Sequence, residues 1–257
     1  MSVLDKIERR VLGAFRCVDS YSGQQVRDAL LAGSTQLDIR RNASAFYVVF
    51  NGPGMSGLTT QFDVAAAWPN SSDYDVTLRP GTRRYLPRLA KISMPRQPVK
   101  MDQDNSSMVP QDVILYPGPV MAFPPTWAVV RLSIKKGNTD VGLPYVVAQM
   151  TRDSDKSVIA TGMSDEHGEA VLAVGGVGQA ANENGGGAVV AVQIDAHLNF
   201  YGDADTLKRV DGKQGKAPAL VNPETFLHDP GTYDLKQPQA VHIGRGTSSH
   251  FTIAIGL

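Results

Sequence analysis

The sequence predicts an all-β protein built as two tandem β-sandwich domains joined by a proline-rich linker. Three observations predict it. Apolar runs are short, they alternate with polar residues, and they end at turn signals, as strands at close spacing do. Glycine (25) and proline (16) are spread along the 257 residues rather than clustered. A 42% apolar content suffices for a real core, and the length fits one large or two small domains of roughly 100–200 residues each.

Residues 1–96 read as the first domain. Residues 2–10 predict one or two helical turns capped by Ser2. Residues 12–18 read as a strand, and Asp19-Ser-Tyr-Ser-Gly23 as a turn with Asp at its start and Gly at its end. Residues 37–39, 45–50, 59–66, 74–78 and 84–94 give further strands, separated by turns at 51–54, 68–72 and 79–81. Residues 97–125 are rich in proline and polar in the middle. Proline cannot donate to a central ladder, so this stretch reads as an extended linker in which only residues 113–116 would pair, on an edge.

Residues 126–257 read as the second domain. Val130, Leu132 and Ile134 alternate with Arg131, Ser133 and Lys135 in its first strand. A turn at 137–140 leads to a strand in residues 143–153, and residues 157–164 form the next. Ser164-Asp-Glu-His-Gly168 then precedes an alternating run of Ala, Val and Leu. Residues 178–187 read as a flexible loop, 188–200 as a strong alternating strand, and 249–257 as the last strand. Residues 201–240 read as a long loop with one helical turn near Pro223. Residues 97–112 and 178–187 are expected to be mobile.

Asp165, Glu166, His167 and Glu169 could form a catalytic or metal cluster, or bend the chain. The local chemistry favours bending. Asp165 can accept bonds from the turn's own N–H groups, and Gly168 can take a positive φ. Ala170, Leu172 and Val174 then share one face of the next strand, with Glu169, Val171 and Ala173 on the other. Gly142-Leu-Pro144 followed by Ser164-Asp165-Glu-His-Gly168-Glu-Ala170-Val-Leu172 resembles the carboxypeptidase regulatory-like, or transthyretin-like (Ig-like), β-sandwich family. Residues 18–26 carry a looser version. The resemblance implies sandwich folds in which Asp19, Gly23, Gly142, Asp165 and Gly168 are structural turn residues.

No catalytic residue, cofactor site or metal site is assigned. Histidines 167, 197, 228, 242 and 250 form neither HxH, HExxH nor a zinc spacing. Residues 201–205 and 102–105 mimic the opening of a calcium loop but lack its Gly and closing Glu. The glycines at 175–178 and 185–187 lack the ending of a phosphate-binding loop. Residues 54–57 fall one residue short of a nucleophile elbow. The related transthyretin-like hydrolases end in Tyr-Arg-Gly-Ser, whereas this chain ends in Ala-Ile-Gly-Leu. Cys17 is the one cysteine, so no intrachain disulfide forms; it reads as a buried, inert thiol.

Twenty-five basic residues balance twenty-five acidic ones, which supplies no field for nucleic acid or membrane surfaces. The basic spots at Arg83, Arg84, Arg88 and Lys91, and at Lys135 and Lys136, read as solvated strand edges. No apolar run reaches the ~18 residues of a membrane span. No secretory signal is legible, so cytoplasmic synthesis is expected, followed by incorporation into a virion or injection particle. The expected function is a non-enzymatic structural or interaction protein, an accessory component (tail, baseplate or particle surface) of a phage tail-like contractile injection system or virion. Its partners would be protein subunits, including its own copies. The alternative is a carbohydrate- or ligand-binding adhesin module using Trp68, Trp127, Tyr74, Tyr85 and Tyr201; a hydrolase ranks last. Gly168→Val is expected to lower the melting temperature without removing any activity, and an undiminished melt would count against the positive-φ turn.

Overall fold

The computed structural model describes residues 10–60, 69–97, 106–177, 179–180, 190–191, 193–211 and 218–257. The expected helical turn at 2–10, residues 61–66 of an expected strand, Trp68, the mimic at 102–105 and most of the two expected mobile stretches lie outside these residues. The chain is mostly β, in several sheets. It divides into two compact units. The first holds residues up to Val18, Gln24–Gly81 and Pro87–Ile114; the second holds Asp19–Gly23, Thr82–Leu86 and Leu115–Leu257.

The first unit contains β1 (Gly13–Asp19), β2 (Leu30–Gly33), β3 (Asp38–Arg41), β4 (Phe46–Asn51), the short helix α1 (Ser56–Thr60), β5 (Ser72–Pro80), β6 (Arg88–Met94) and β7 (Gln111–Leu115). They form two sheets, ordered β3-β4-β1-β7 and β2-β5-β6. Period-two patterning places Phe15 and Cys17 of β1, Tyr47 and Val49 of β4, Val76 and Leu78 of β5, and Ala90, Ile92 and Met94 of β6 in the core. The Phe15 and Tyr47 rings stack at 4.9 Å. Residues 59 and 60, expected in a strand, instead end α1.

Arg88 corrects the reading of a solvated basic spot. It lies on the core face of β6 and is 1% exposed. Its Nη1 donates to the Ile114 carbonyl at 2.6 Å and its Nε to the Leu89 carbonyl at 2.9 Å. Main-chain oxygens thus replace the water that a buried guanidinium gives up. Cys17 lies in the same core. Burial pushes its thiol up to about 12, against weaker opposing pulls from Arg88 and Arg41.

The second unit contains β8 (Ala128–Lys136), β9 (Val147–Arg152), β10 (Val158–Met163), β11 (Glu169–Val174), the short pair β12 (Gln179–Ala180) and β13 (Val190–Ala191), and β14 (Gln193–Tyr201). Helices α2 (Ala204–Lys208), α3 (Pro223–His228) and α4 (Pro230–Tyr233) come next, then β15 (Asp234–Gly244) and β16 (Ser248–Ile255). One sheet runs β10-β9-β14-β15 and the other β11-β8-β16. Val130, Leu132 and Ile134 of β8, Leu172 of β11 and Ile253 of β16 share a single core with Met150 of β9, Leu198 and Phe200 of β14, and Ile243 of β15. Two sheets closing one apolar layer make the unit sandwich-like. β16 pairs parallel with β8 in unbroken register from Ser248↔Val129 to Ile255↔Lys136.

The faces turned away from that core are partly buried too. Val171 is fully buried and Ala173 is 2% exposed, although they project opposite to Ala170, Leu172 and Val174. The Tyr21 hydroxyl donates to the Val171 carbonyl at 3.1 Å. Its ring meets Phe123 and Trp127 edge-on at 5.1 and 6.1 Å. The Arg131 guanidinium donates to the carbonyls of Pro119 and Met121. On the other sheet, Val147 and Met163 join Leu86, Tyr116, Tyr145 and Phe226 in a second apolar cluster. Leu86 belongs to a segment tied down by backbone bonds from Leu86 to Tyr116 (2.9 Å) and from Gly118 to Arg84 (2.7 Å).

Three organisational expectations change. Residues 97–125 are not a linker along their described length, because β7 extends the sheet beside β1 and the unit boundary falls between Ile114 and Leu115. The first region is not one contiguous domain, because Asp19–Gly23 and Thr82–Leu86 belong to the second unit. Residues 201–240 are not a long loop: α2 and α3 bury Leu207 and Phe226, and β15 starts at Asp234. Short helices broken by prolines and polar caps leave no clear 3.6-residue period to read.

Two consequences are measurable. Tyr21→Phe removes one hydrogen bond and costs about 1 kcal/mol, while Tyr21→Ala also strips the cover and costs about 3 kcal/mol; denaturant melts separate the two. The folded state keeps Cys17 protonated up to about 12, while the unfolded thiol ionises near 9.0. Above pH 9 the unfolded chain therefore binds fewer protons than the folded one, and stability falls as pH rises towards 12. Melts between pH 8 and 10.5 should fall more steeply for the natural protein than for Cys17→Ala.

Candidate functional site

The motif residues of the second unit meet at one end of its sandwich. Asp165 Oδ1 accepts from the backbone N–H groups of His167 (2.8 Å) and Glu169 (3.0 Å). The Asp165 N–H donates to the Glu169 carbonyl at 2.8 Å and the Gly168 N–H to the Asp165 carbonyl at 3.2 Å. Gly168 has φ +85°, and a Cβ there would stand 2.5 Å from the Ile134 carbonyl oxygen. A Cβ on Gly142 would stand 1.8 Å from the His167 carbonyl oxygen. The two turns read separately from sequence thus press backbone on backbone. Their strands also differ from a simple hairpin: β10 and β11 lie in opposite sheets, so the turn carries the chain across the sandwich.

Ser164 locks the crossing. Its fully buried hydroxyl donates to the Leu143 carbonyl at 2.8 Å and accepts from the Val146 N–H at 2.9 Å. Glu166 and His167 point into solvent 3.5 Å apart, with side chains 58% and 75% exposed.

Asp19 and Gly23 lie elsewhere in the second unit. Asp19 Oδ1 accepts from the N–H groups of Tyr21 (3.0 Å) and Ser22 (2.9 Å), and Oδ2 accepts from the Tyr85 hydroxyl at 2.8 Å. Gly23 has φ +64° and its N–H donates to the Asp19 carbonyl at 2.9 Å. This turn presents Tyr21 to Val171. Burial, then the Asp19 charge, holds the Tyr21 phenol well above its ordinary value.

Sequence reasoning missed a Ser–Glu–His contact on the face of the β11-β8-β16 sheet that points away from the core. Ser133 Oγ lies 2.8 and 3.0 Å from the Glu169 carboxylate oxygens and 2.9 Å from His250 Nε2. The register Glu169↔Ser133 across β11 and β8 assembles it, and periodicity could have placed both residues on that face. The order of contacts matters. The single hydroxyl proton satisfies Glu169, so Oγ accepts from His250 Nε2–H. Nucleophile activation needs the reverse, a histidine that takes the hydroxyl proton and is itself held by the carboxylate.

Two other histidines bind carboxylates through Nδ1: His197 to Asp153, and His242 to Asp195 at 2.6 Å. Asp203, in the calcium-loop mimic, caps α2 by accepting from the Thr206 hydroxyl and the Asp205 N–H. The Thr206 bond is the main cause holding its carboxyl below the usual value. Among the described residues no group of three or more His, Cys, Asp or Glu is arranged to hold a metal.

An open groove of about 1600 Å³ runs beside these turns, lined by Val141, Tyr145, His167, Leu207, Phe226 and Tyr233 among others. Two of the aromatics named for carbohydrate, Tyr85 and Trp127, are engaged within the second unit, while Tyr74 and Tyr201 are half-buried. Tyr85 is 7% exposed, and Trp127 stacks on Phe123 at 6.0 Å while its ring fills the space where a Cβ on Gly175 would sit.

Gly168→Val and Gly142→Ala should each cost about 2–4 kcal/mol, because backbone atoms occupy the place of the new Cβ. His167→Ala should change stability by less than about 0.5 kcal/mol. Equal melts for all three would contradict the packed-turn geometry.

Neither a protein-family model nor a curated protein matches the chain. Among solved structures, a chain described as the Bacillus anthracis TIE protein aligns over 96% of this chain and 34% of its own length, at 8% identity and TM-score 0.27. A leucine-rich repeat protein from Bacteroides thetaiotaomicron aligns over 95% of this chain and 26% of its own, at 12% identity and TM-score 0.22. The chain spans about a third and a quarter of their lengths.

Proposed function

We propose that the chain is a non-enzymatic structural or interaction protein made of two Ig-like, transthyretin-like sandwich units. Its place is as an accessory component (tail, baseplate or particle surface) of a contractile injection system or a phage particle. One observation carries the non-enzymatic half. Two polar side chains of its most distinctive motif, Ser164 and Asp165, bind the chain's own backbone, and Gly142 and Gly168 permit two backbones to touch. A carboxylate spent on two N–H groups is an anchor rather than an acid or base awaiting substrate.

The assembly half rests on the type of scaffold. Sandwich modules of the resembled family serve as stiff spacers, and accessory proteins of tail-like particles use them often. Function on such a fold lies in the surface it presents. Glu166 and His167 at the turn tip and the groove beside α2 and α3 are the surfaces a neighbouring subunit would meet.

Particles purified from cells expressing the tagged chain should contain it in fixed proportion to tail-tube and sheath proteins. Recovery of the chain only outside particles, or specific retention on a glycan array, would overturn this reading.

A further inference from the structure

The outer strands of the described sheets are protected in recognisable ways, with one exception. β3 carries Asp38, Arg40 and Arg41 and a register shift. β2 has four residues, and β12 and β13, which form a sheet of their own, have two each. β6 carries the exposed Lys91, and β7 carries Asp112 paired with Arg16. β10 and β15 contain register shifts, and β15 also contains Pro238. β11 has Glu169 and is met by the Tyr21 hydroxyl at Val171. Charge, proline, bulges, shortness and covering are the devices that stop sheet edges from pairing with other chains. β16 reads Ser-Ser-His-Phe-Thr-Ile-Ala-Ile over eight residues, with no charged side chain, no proline and no register shift.

The pairing pattern shows which of its backbone groups are committed. The Val129 N–H donates to Thr247 and the Gly137 N–H to Ile255. In a parallel ladder this directs the odd-numbered residues' N–H and C=O towards β8, and those of Ser248, His250 and Thr252 away from it. All three residues are exposed, and no described strand lies on that side of β16. Ala254 already has a partner of its own, so the edge considered for pairing ends at Thr252.

We propose that this edge pairs antiparallel with β16 of a second copy, about a two-fold axis at His250. The strand is self-complementary in charge. Ser248–Ile255 has no acidic, lysine or arginine side chain, so with the His250 pair on the axis neutral, antiparallel pairing sets no like charges opposite one another. Ser248 falls across from Thr252 of the copy, where hydroxyls pair favourably. The three outward residues exchange about six backbone hydrogen bonds, and the contact is isologous, as closed dimers require. So small an interface gives a weak dimer. The inference goes beyond the assembly reading and does not rest on it.

Sedimentation velocity on the full chain from about 10 µM to 1 mM should show a concentration-dependent dimer, since a contact this small binds weakly. Thr252→Pro removes an outward N–H and leaves the β8 ladder intact, as proline on an edge strand does. It should weaken the dimer by about tenfold or more at unchanged far-ultraviolet circular dichroism. Thr252→Lys, which adds an edge charge, should do the same and decides the matter if the proline variant misfolds. Amide exchange at Ser248, His250 and Thr252 should slow as concentration rises. A monomer throughout the range, or a dimer that survives both variants with these three amides unprotected, would overturn the proposal. Either result would leave particle co-purification to decide the assembly reading separately.

Discussion

The two-sided burial of β11 and β9 is the constraint on which the second unit depends. A sandwich ordinarily hides one face of each sheet and wets the other. Here Val171 and Ala173 on one sheet, and Val147 and Met163 on the other, are buried on the faces turned away from the shared core. Apolar surface there must be covered or the sheet is left with an exposed patch. The residues that cover it include Tyr21 and Leu86 from early in the chain, Tyr116, Phe123 and Trp127, and Tyr145 and Phe226 from further on.

This explains why the division into units does not track the order of residues. The chain crosses between units at 18/19, 23/24, 81/82, 86/87 and 114/115. Each visit to the second unit brings a specific anchor: the Tyr21 hydroxyl on the Val171 carbonyl, or Leu86 held by the Tyr116 carbonyl. A fragment starting at Leu115 would therefore lack part of its own hydrophobic layer. Asp19 serves both visits, since one carboxylate oxygen shapes its own turn and the other accepts from Tyr85.

The same economy governs the polar groups. Arg88 is buried on carbonyls, Ser164 bridges Leu143 and Val146, and Lys136 donates to the Lys208 and Val210 carbonyls at the end of α2. Residues that looked like surface charges or loose turn chemistry close backbone bonds that would otherwise be lost. What is left outward on β16 is an uncharged ladder edge, the one place where the described sheets keep main-chain groups without such protection.

Sequence alone determined the strand content and most strand positions, because alternation at period two is local and survives in any arrangement of sheets. Val130-Arg-Leu-Ser-Ile134 and Glu169-Ala-Val-Leu-Ala-Val174 could be assigned faces before any partner was known. It also determined that Asp19, Asp165, Gly23 and Gly168 would shape turns, since those bonds and dihedrals lie within a few residues. Tertiary structure alone decided that β10 and β11 belong to opposite sheets, that Gly142 meets His167, and that Ser133 joins Glu169 and His250. Tertiary structure likewise decided that Arg88 is buried and that Tyr21 belongs to the second unit. Each of these joins residues far apart along the chain, and the free energy that selects them comes from burying surface that no single segment can hide by itself.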